Sequence, residues 1–284
     1  MVARGAGYNF WRTMIRWRFN LLRLAGVHYL FRKEMRRPPI VVGALGGSGT
    51  RGVVDVLQSG GVWMGTFTGK ETRDAQPFYN FGLRWFPALL AASEEGAPLP
   101  KELLRWFESA VQQHLLRVPN PASRWGLKHP FTMWYIPLLA RRFAGMKFVH
   151  LVRDGRDMAL SSNNHLLRYH RESILAGGQG LSNEAAQLAI WAKGNGLAHQ
   201  RGRALLGDKY LLVRYEDLCG KAEETVERIY RFAGLDYSAA LVAETAARLR
   251  PSPGIGRWER SSDPVVHRLD DQTRAALRDL GYQV

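Results

Sequence analysis

Ile40-Val41-Val42-Gly43-Ala44-Leu45-Gly46-Gly47-Ser48-Gly49-Thr50-Arg51 is the stretch of this 284-residue chain whose reading sets its fold class. The apolar run after Pro38-Pro39 predicts a buried strand, the glycines a tight turn, and Val53, Val54 and Leu57 the inner face of a helix. A glycine-rich turn between strand and helix exposes successive backbone N–H groups at the positive end of a helix, which suits it to grip a phosphate. Gly46, Gly47, Ser48, Gly49 and Thr50 fit that role, and a plain glycine turn is the competing reading. An ATP or GTP enzyme needs the loop to end Gly-Lys-Ser/Thr, with the lysine on the outer phosphates and the hydroxyl on magnesium. Ser48-Gly49-Thr50-Arg51 lacks the lysine, which argues against an NTPase.

A second element starts with the buried-strand run 147–152, after which Arg153-Asp154-Gly155-Arg156-Asp157 turns the chain into a helix expected to reach about residue 167. Asp154 after a hydrophobic strand invites a magnesium-holding reading. Arginine at the carboxyl end of a strand, with Ser161 two helical turns on, is better suited to a second phosphate, because the guanidinium fork matches phosphate oxygens. A structural salt bridge is the rival role for Arg153. Two anion sites on one sheet edge, one of main-chain amides near Ser48 and one of Arg153 and Ser161, imply a ligand phosphorylated at two places.

Outside these elements, residues 66–100 carry many turn formers and aromatics and are expected to be irregular, above a site. Helices are expected over 101–117, 134–143, 183–206 and 221–232, a flexible loop over 177–180 and another buried strand over 210–215. Strands alternating with helices imply an α/β fold with a central parallel sheet flanked by helices. Two regions follow: a basic, aromatic-rich helical extension over 1–37 and a catalytic domain over 38–284.

The formal charge of +15 attracts polyanions without choosing among nucleic acid, anionic membrane and phosphorylated nucleotide. Much of it lies in the extension, where Arg4, Arg12, Arg16, Arg18, Arg23, Arg32, Lys33, Arg36 and Arg37 face the single acid Glu34. Trp11, Ile15, Phe19 and Leu22 at helical spacing make that segment a candidate membrane-surface helix, or else a helix packed on the domain with arginines in solvent. No apolar run approaches the roughly 20 residues that span a bilayer, and the interrupting arginines speak against a signal peptide. One cysteine, Cys219, rules out an internal disulfide and favours a reducing compartment, so the expected setting is cytoplasmic, with peripheral contact at the inner membrane face.

Taken together, Ser48-Gly49-Thr50 after a strand, Leu151-Val152-Arg153-Asp154-Gly155-Arg156-Asp157 with Ser161, and Val213-Arg214-Tyr215-Glu216-Asp217-Leu218 resemble the sulfotransferases that use 3′-phosphoadenosine 5′-phosphosulfate (PAPS). The resemblance covers about 38–270 and implies a P-loop-like fold. It also implies a first loop, Gly46 to Arg51, on the 5′-phosphosulfate, and Arg153 and Ser161 on the 3′-phosphate. Glu71-Thr72-Arg73, Lys128-His129-Pro130-Phe131-Thr132 and Glu259-Arg260-Ser261-Ser262-Asp263 are most similar to tyrosylprotein sulfotransferases. That likeness implies Glu71 as catalytic base, Lys128 and Ser261 as transition-state stabilisers, and Tyr215 and His165 at the nucleotide. Gly47 stands where the family has a functional arginine and Arg51 where it has a second threonine, so Arg51 restores the lost charge.

The expected activity is sulfuryl transfer from PAPS to an acceptor hydroxyl of protein tyrosine, carbohydrate, lipid or small metabolite, releasing PAP. No metal is expected if cations stabilise the developing charge, and no nucleic-acid partner is expected. His129 is the second candidate base, Glu71 has a bland rival as a solvated loop acid, and Ser261 has one as a turn residue. The alternatives are a P-loop small-metabolite kinase and a basic membrane-surface protein without catalysis.

Overall fold

The computed structural model describes residues 35–65, 73–163, 165–176 and 180–284. The basic extension up to residue 34, Glu71 and most of the 177–180 loop lie outside them. Strand β1 (Ile40–Gly43) leads through the glycine loop into α1 (Thr50–Ser59); α2 (Gln76–Glu95) and α3 (Lys101–Leu115) precede β2 (Gly126–Lys128). A 3₁₀ segment, Pro130–Tyr135, and α4 (Ile136–Arg142) connect to β3 (Lys147–Val152), followed by α5 (Gly155–Ala159) and α6 (His165–Ile174). Helix α7 (Asn183–Leu206) runs to β4 (Tyr210–Arg214), and α8 (Tyr215–Gly220), α9 (Ala222–Ala233), α10 (Ala239–Ala247) and α11 (Asp271–Asp279) complete the chain.

All strand pairs are parallel and the order is β2-β1-β3-β4, with Val42 opposite Val149 and Val152 opposite Arg214. Alternate side chains enter separate cores. Val41, Phe148 and Val152 pack with aromatics of α2, α3 and α7, whereas Val42, Val149, Leu151 and Val213 pack with α1, α9 and α10. Burial on both faces explains why these strands read as unbroken apolar runs. The chain leaves β1 for β2 on one side and returns to β3 on the other. The carboxyl ends of β1 and β3 therefore flank a topological switch point, where open parallel sheets bind ligands.

Three expectations are corrected. Residues 66–100 are not irregular throughout, because α2 occupies Gln76–Glu95 despite Gly82 and the internal Pro87. Its Phe78, Phe81, Phe86 and Leu89 are buried, and that packing outweighs the weak local propensity. The helix after Arg153 stops at Ala159 and restarts at His165. The 134–143 segment begins as a 3₁₀ turn.

Under the sheet, His150 Nδ1 lies 2.6 Å from the Tyr210 hydroxyl and Nε2 lies 3.0 Å from Asn195 Oδ1. Asn195 Nδ2 already donates to Trp191 O, so Nε2 of His150 donates to Oδ1. Burial drives His150 down to about 3, and burial likewise drives His114, bonded to Gly126 O, down to about 4. Both are neutral in the fold, while the unfolded chain binds their protons below about 6.5. Their contribution to stability is therefore complete above that pH and is lost as pH falls toward 4 and 3, at about 1.4 kcal/mol per pH unit for each. The melting temperature should drop steeply between pH 6.5 and 5; a flat profile there contradicts neutral burial.

Candidate functional site

The loop after β1 is shaped by two left-handed glycines, Gly47 (φ 93°) and Gly49 (φ 87°). A side chain at Gly49 would run into the Tyr215 ring, so only glycine fits both the angle and the space. Gly49 is the N-cap of α1 and supplies no side-chain cap, and the first turn contains no acid. Gly52 N of the first turn donates to Gly49 O at 3.0 Å, and the amides before it are left to an anion or solvent at the positive helix end. Ser48 is turned inward: its N–H donates to Leu45 O and its buried hydroxyl lies 4.0 Å from Met158 Sδ.

Of the run Arg153 to Asp157, the arginine faces the cavity while the acids hold the scaffold. Asp154 caps α5 through Arg156 N at 2.9 Å and binds the Arg156 guanidinium through both oxygens, so both are engaged in the scaffold. Asp157 accepts from Gly256 N and Trp258 N, pinning the 254–258 segment, and Arg156 stacks 3.6 Å from the Trp258 ring centroid. Burial raises the Asp157 pKa against those two N–H donors. Glu216 ties the element to the end of β4, accepting from Asp154 N and from the Tyr282 hydroxyl, with burial again raising its pKa.

Arg153 is only 6% exposed, yet its Nε and Nη2 have no hydrogen-bond partner among the described residues. Its Cζ lies 5.1 Å from the Tyr215 ring centroid, and its carbonyl accepts from Trp191 Nε1 at 2.9 Å. Asp157 is close enough to feel its charge, yet buried guanidinium N–H groups without acceptors are costly unless a ligand completes them. Lys128, at the end of β2, is 3% exposed and its Nζ is 2.7 Å from Asp74 Oδ1. Burial lowers the Lys128 pKa, the Asp74 carboxylate opposes that, and Arg51 and Arg73 lower it further.

These groups meet in one cavity of about 580 Å³ at the switch point. Gly46, Gly47, Gly49, Thr50, Arg51, Lys128, Arg153 and Tyr215 line it, as does His129. Ser161 and Ser261 are not among its lining residues. Their hydroxyls accept from Asn163 N and Asp263 N, which is turn chemistry, and the break between α5 and α6 moves Ser161 off the helical register assumed from sequence. The side chain of His165 lies outside the described residues. Asp74, Asn163, Gln187, Trp191 and Ser252 join the lining without having been singled out. Asp74 was signalled by its place beside Glu71-Thr72-Arg73, whereas Gln187 and Trp191 belong to a helix whose periodicity gives no hint of a ligand.

Residues 39–239 match the sulfotransferase family. The protein-tyrosine sulfotransferase of Drosophila melanogaster is 26% identical over 249 residues, which are 84% of this chain and 46% of that protein. Protein-tyrosine sulfotransferase 2 of Gallus gallus is 25% identical over 256 residues, 84% of this chain and 62% of that one. The chain therefore spans less than two thirds of the length of these relatives. In fold it is similar to a sulfotransferase from Mycobacterium avium (TM-score 0.55, 12% identity, 94% of this chain and 82% of that one). It is also similar to a mouse sulfotransferase complexed with PAP (TM-score 0.52, 14% identity, 90% and 93%).

Proposed function

Because the chain belongs to the sulfotransferase family, we propose that its cavity binds PAPS and that it transfers the sulfuryl group to an acceptor hydroxyl, releasing PAP. The observation that carries this reading is the buried Arg153 guanidinium, whose Nε and Nη2 have no hydrogen-bond partner among the described residues, in the same cavity as the amino end of α1, which has no side-chain cap. One doubly phosphorylated nucleotide gives both an anionic partner. PAPS supplies an activated sulfuryl group on the 5′-phosphate. The chain's part is to bind and orient it: the amides at Gly49 to Arg51 on the phosphosulfate end, Arg153 on the 3′-phosphate, and Tyr215 and Trp191 as aromatic walls. Lys128 and Arg51 hold positive charge where negative charge develops. Ser161, Ser261 and His165 enter only through the family resemblance, as does Glu71 as the base.

The favoured acceptor is a tyrosyl hydroxyl. Two relatives are named for protein tyrosine, and Tyr79, Pro130, Phe131, Leu166 and Leu167 give the cavity an apolar, partly aromatic wall suited to a ring. A cytoplasmic setting, with the basic amino-terminal segment at the inner membrane face, belongs to the same proposal and rests on sequence alone.

The test is thermal stability with PAP, AMP and ATP plus magnesium. A ligand that binds only the folded state at a hundredfold excess over its Kd adds about 2.7 kcal/mol, or roughly 5 °C in Tm. PAP should give the largest shift, with AMP well behind. Preference for ATP plus magnesium overturns the reading in favour of a kinase.

A further inference from the structure

Helix α7 carries Gln187, Trp191, Asn195 and His199 at four-residue spacing, which puts successive members on the same face. Each bonds to the element that carries Arg153 or to the strand beside it. Gln187 Nε2 donates to Ala159 O at 3.0 Å and to Ser161 O at 3.4 Å. Trp191 Nε1 donates to Arg153 O at 2.9 Å, and its ring lies so close to Gly155 that a side chain there would overlap it. Asn195 accepts from His150 Nε2 at 3.0 Å and donates to Trp191 O at 3.0 Å. His199 Nδ1 lies 3.0 Å from the Tyr210 hydroxyl, the group that also meets His150 Nδ1. Trp191, Asn195 and His150 are buried, so these bonds are shielded from water.

We propose that Trp191 is a positioning residue for the 3′-phosphate, acting through the Arg153 main chain, with Gln187 and the Asn195–His150 pair holding the element on either side of it; this rests on the nucleotide reading of the site. A carboxylate bonded to the Arg153 guanidinium would fix it but would consume donors that a phosphate needs. Arg153 Nε and Nη2 instead have no acceptor among the described residues. What holds the residue is its backbone and the Tyr215 ring, 5.1 Å from Cζ. The indole N–H fixes the peptide after Arg153, where β3 ends, and Gly155 makes room for the ring against the turn. The guanidinium therefore extends from a fixed Cα with its donors uncommitted, a preorganised grip whose affinity is lost when its support loosens. Preference for a nucleotide with a 3′-phosphate over one without it depends on that support.

The test titrates PAP and AMP, which differ only in the 3′-phosphate, into full-chain wild type, W191F, Q187M, R153A and the W191F/R153A double variant. Phenylalanine keeps an aromatic ring in the cavity wall and removes the N–H donor. W191F should lose about three- to tenfold in PAP affinity, the range expected for one hydrogen bond. AMP affinity should stay within about twofold, and adding W191F to R153A should change PAP affinity by no more than about twofold, because the effect passes through Arg153. Q187M, at a half-buried position, should reduce the same preference by a smaller factor. Equal losses of PAP and AMP affinity, or a W191F loss as large without Arg153 as with it, overturn the proposal and leave Trp191 a core residue. Wild-type protein with no preference for PAP over AMP defeats the nucleotide reading of the whole site instead. Apo melting curves show whether W191F folds; if it does not, Q187M and its R153A double variant decide by the same criteria.

Discussion

Arg153→Ala is expected to weaken PAP binding by about 10²–10³-fold while leaving the apo protein as stable as the wild type or more so. The loss is that of a buried, charge-assisted contact to a phosphate, whose removal typically costs about 2–5 kcal/mol. The apo result follows from the fold. Arg153 Nε and Nη2 bond to nothing among the described residues, so alanine removes a desolvated charge and forfeits little more than the stacking on Tyr215. Arg153→Lys should recover only part of the affinity, because an ammonium keeps the charge but loses the two-pronged geometry. Calorimetric titration with PAP and apo melting curves check both halves. A variant that melts much lower yet binds PAP as well as the wild type would show that Arg153 is structural.

Lys128→Met is expected to lower kcat by about 10²–10³-fold, the usual cost of removing one group that faces charge developing in the transition state. Here stability falls as well. Asp74 is left buried without its cation, and breaking a buried pair from one side costs about 3–5 kcal/mol. The double variant K128M/D74N separates the two effects: neutralising both partners should restore most of the melting temperature and none of the turnover. Turnover recovering together with stability would mean that the ion pair serves the fold rather than the reaction. Single-turnover assays with saturating PAPS and melting curves provide the readouts.

Much of the fold was legible because local and tertiary forces agree along the chain. The strand–glycine loop–helix at residue 40 onward, the apolar strand at 147–152 and the long helix Asn183–Leu206 all form where their local sequence predicts them. Helix α2 was not legible. Gly82 and Pro87 are local breakers, and only the aromatic core that receives Phe78, Phe81 and Phe86 makes the helix favourable. Much the same holds for the break after Ala159, which carries Ser161 out of line with Arg153.

The amino-acid sequence by itself determined that a glycine-rich loop follows the first strand, that an arginine follows another, and that no lysine equips the loop for ATP. These depend on short stretches whose geometry is local. Only the tertiary structure decided that β1 and β3 lie side by side, so that the loop and Arg153 open into one cavity, and that Asp74 reaches Lys128 from 54 residues away. Strand order and the meeting of distant charges depend on how the whole chain buries its two cores, and no local pattern encodes that choice.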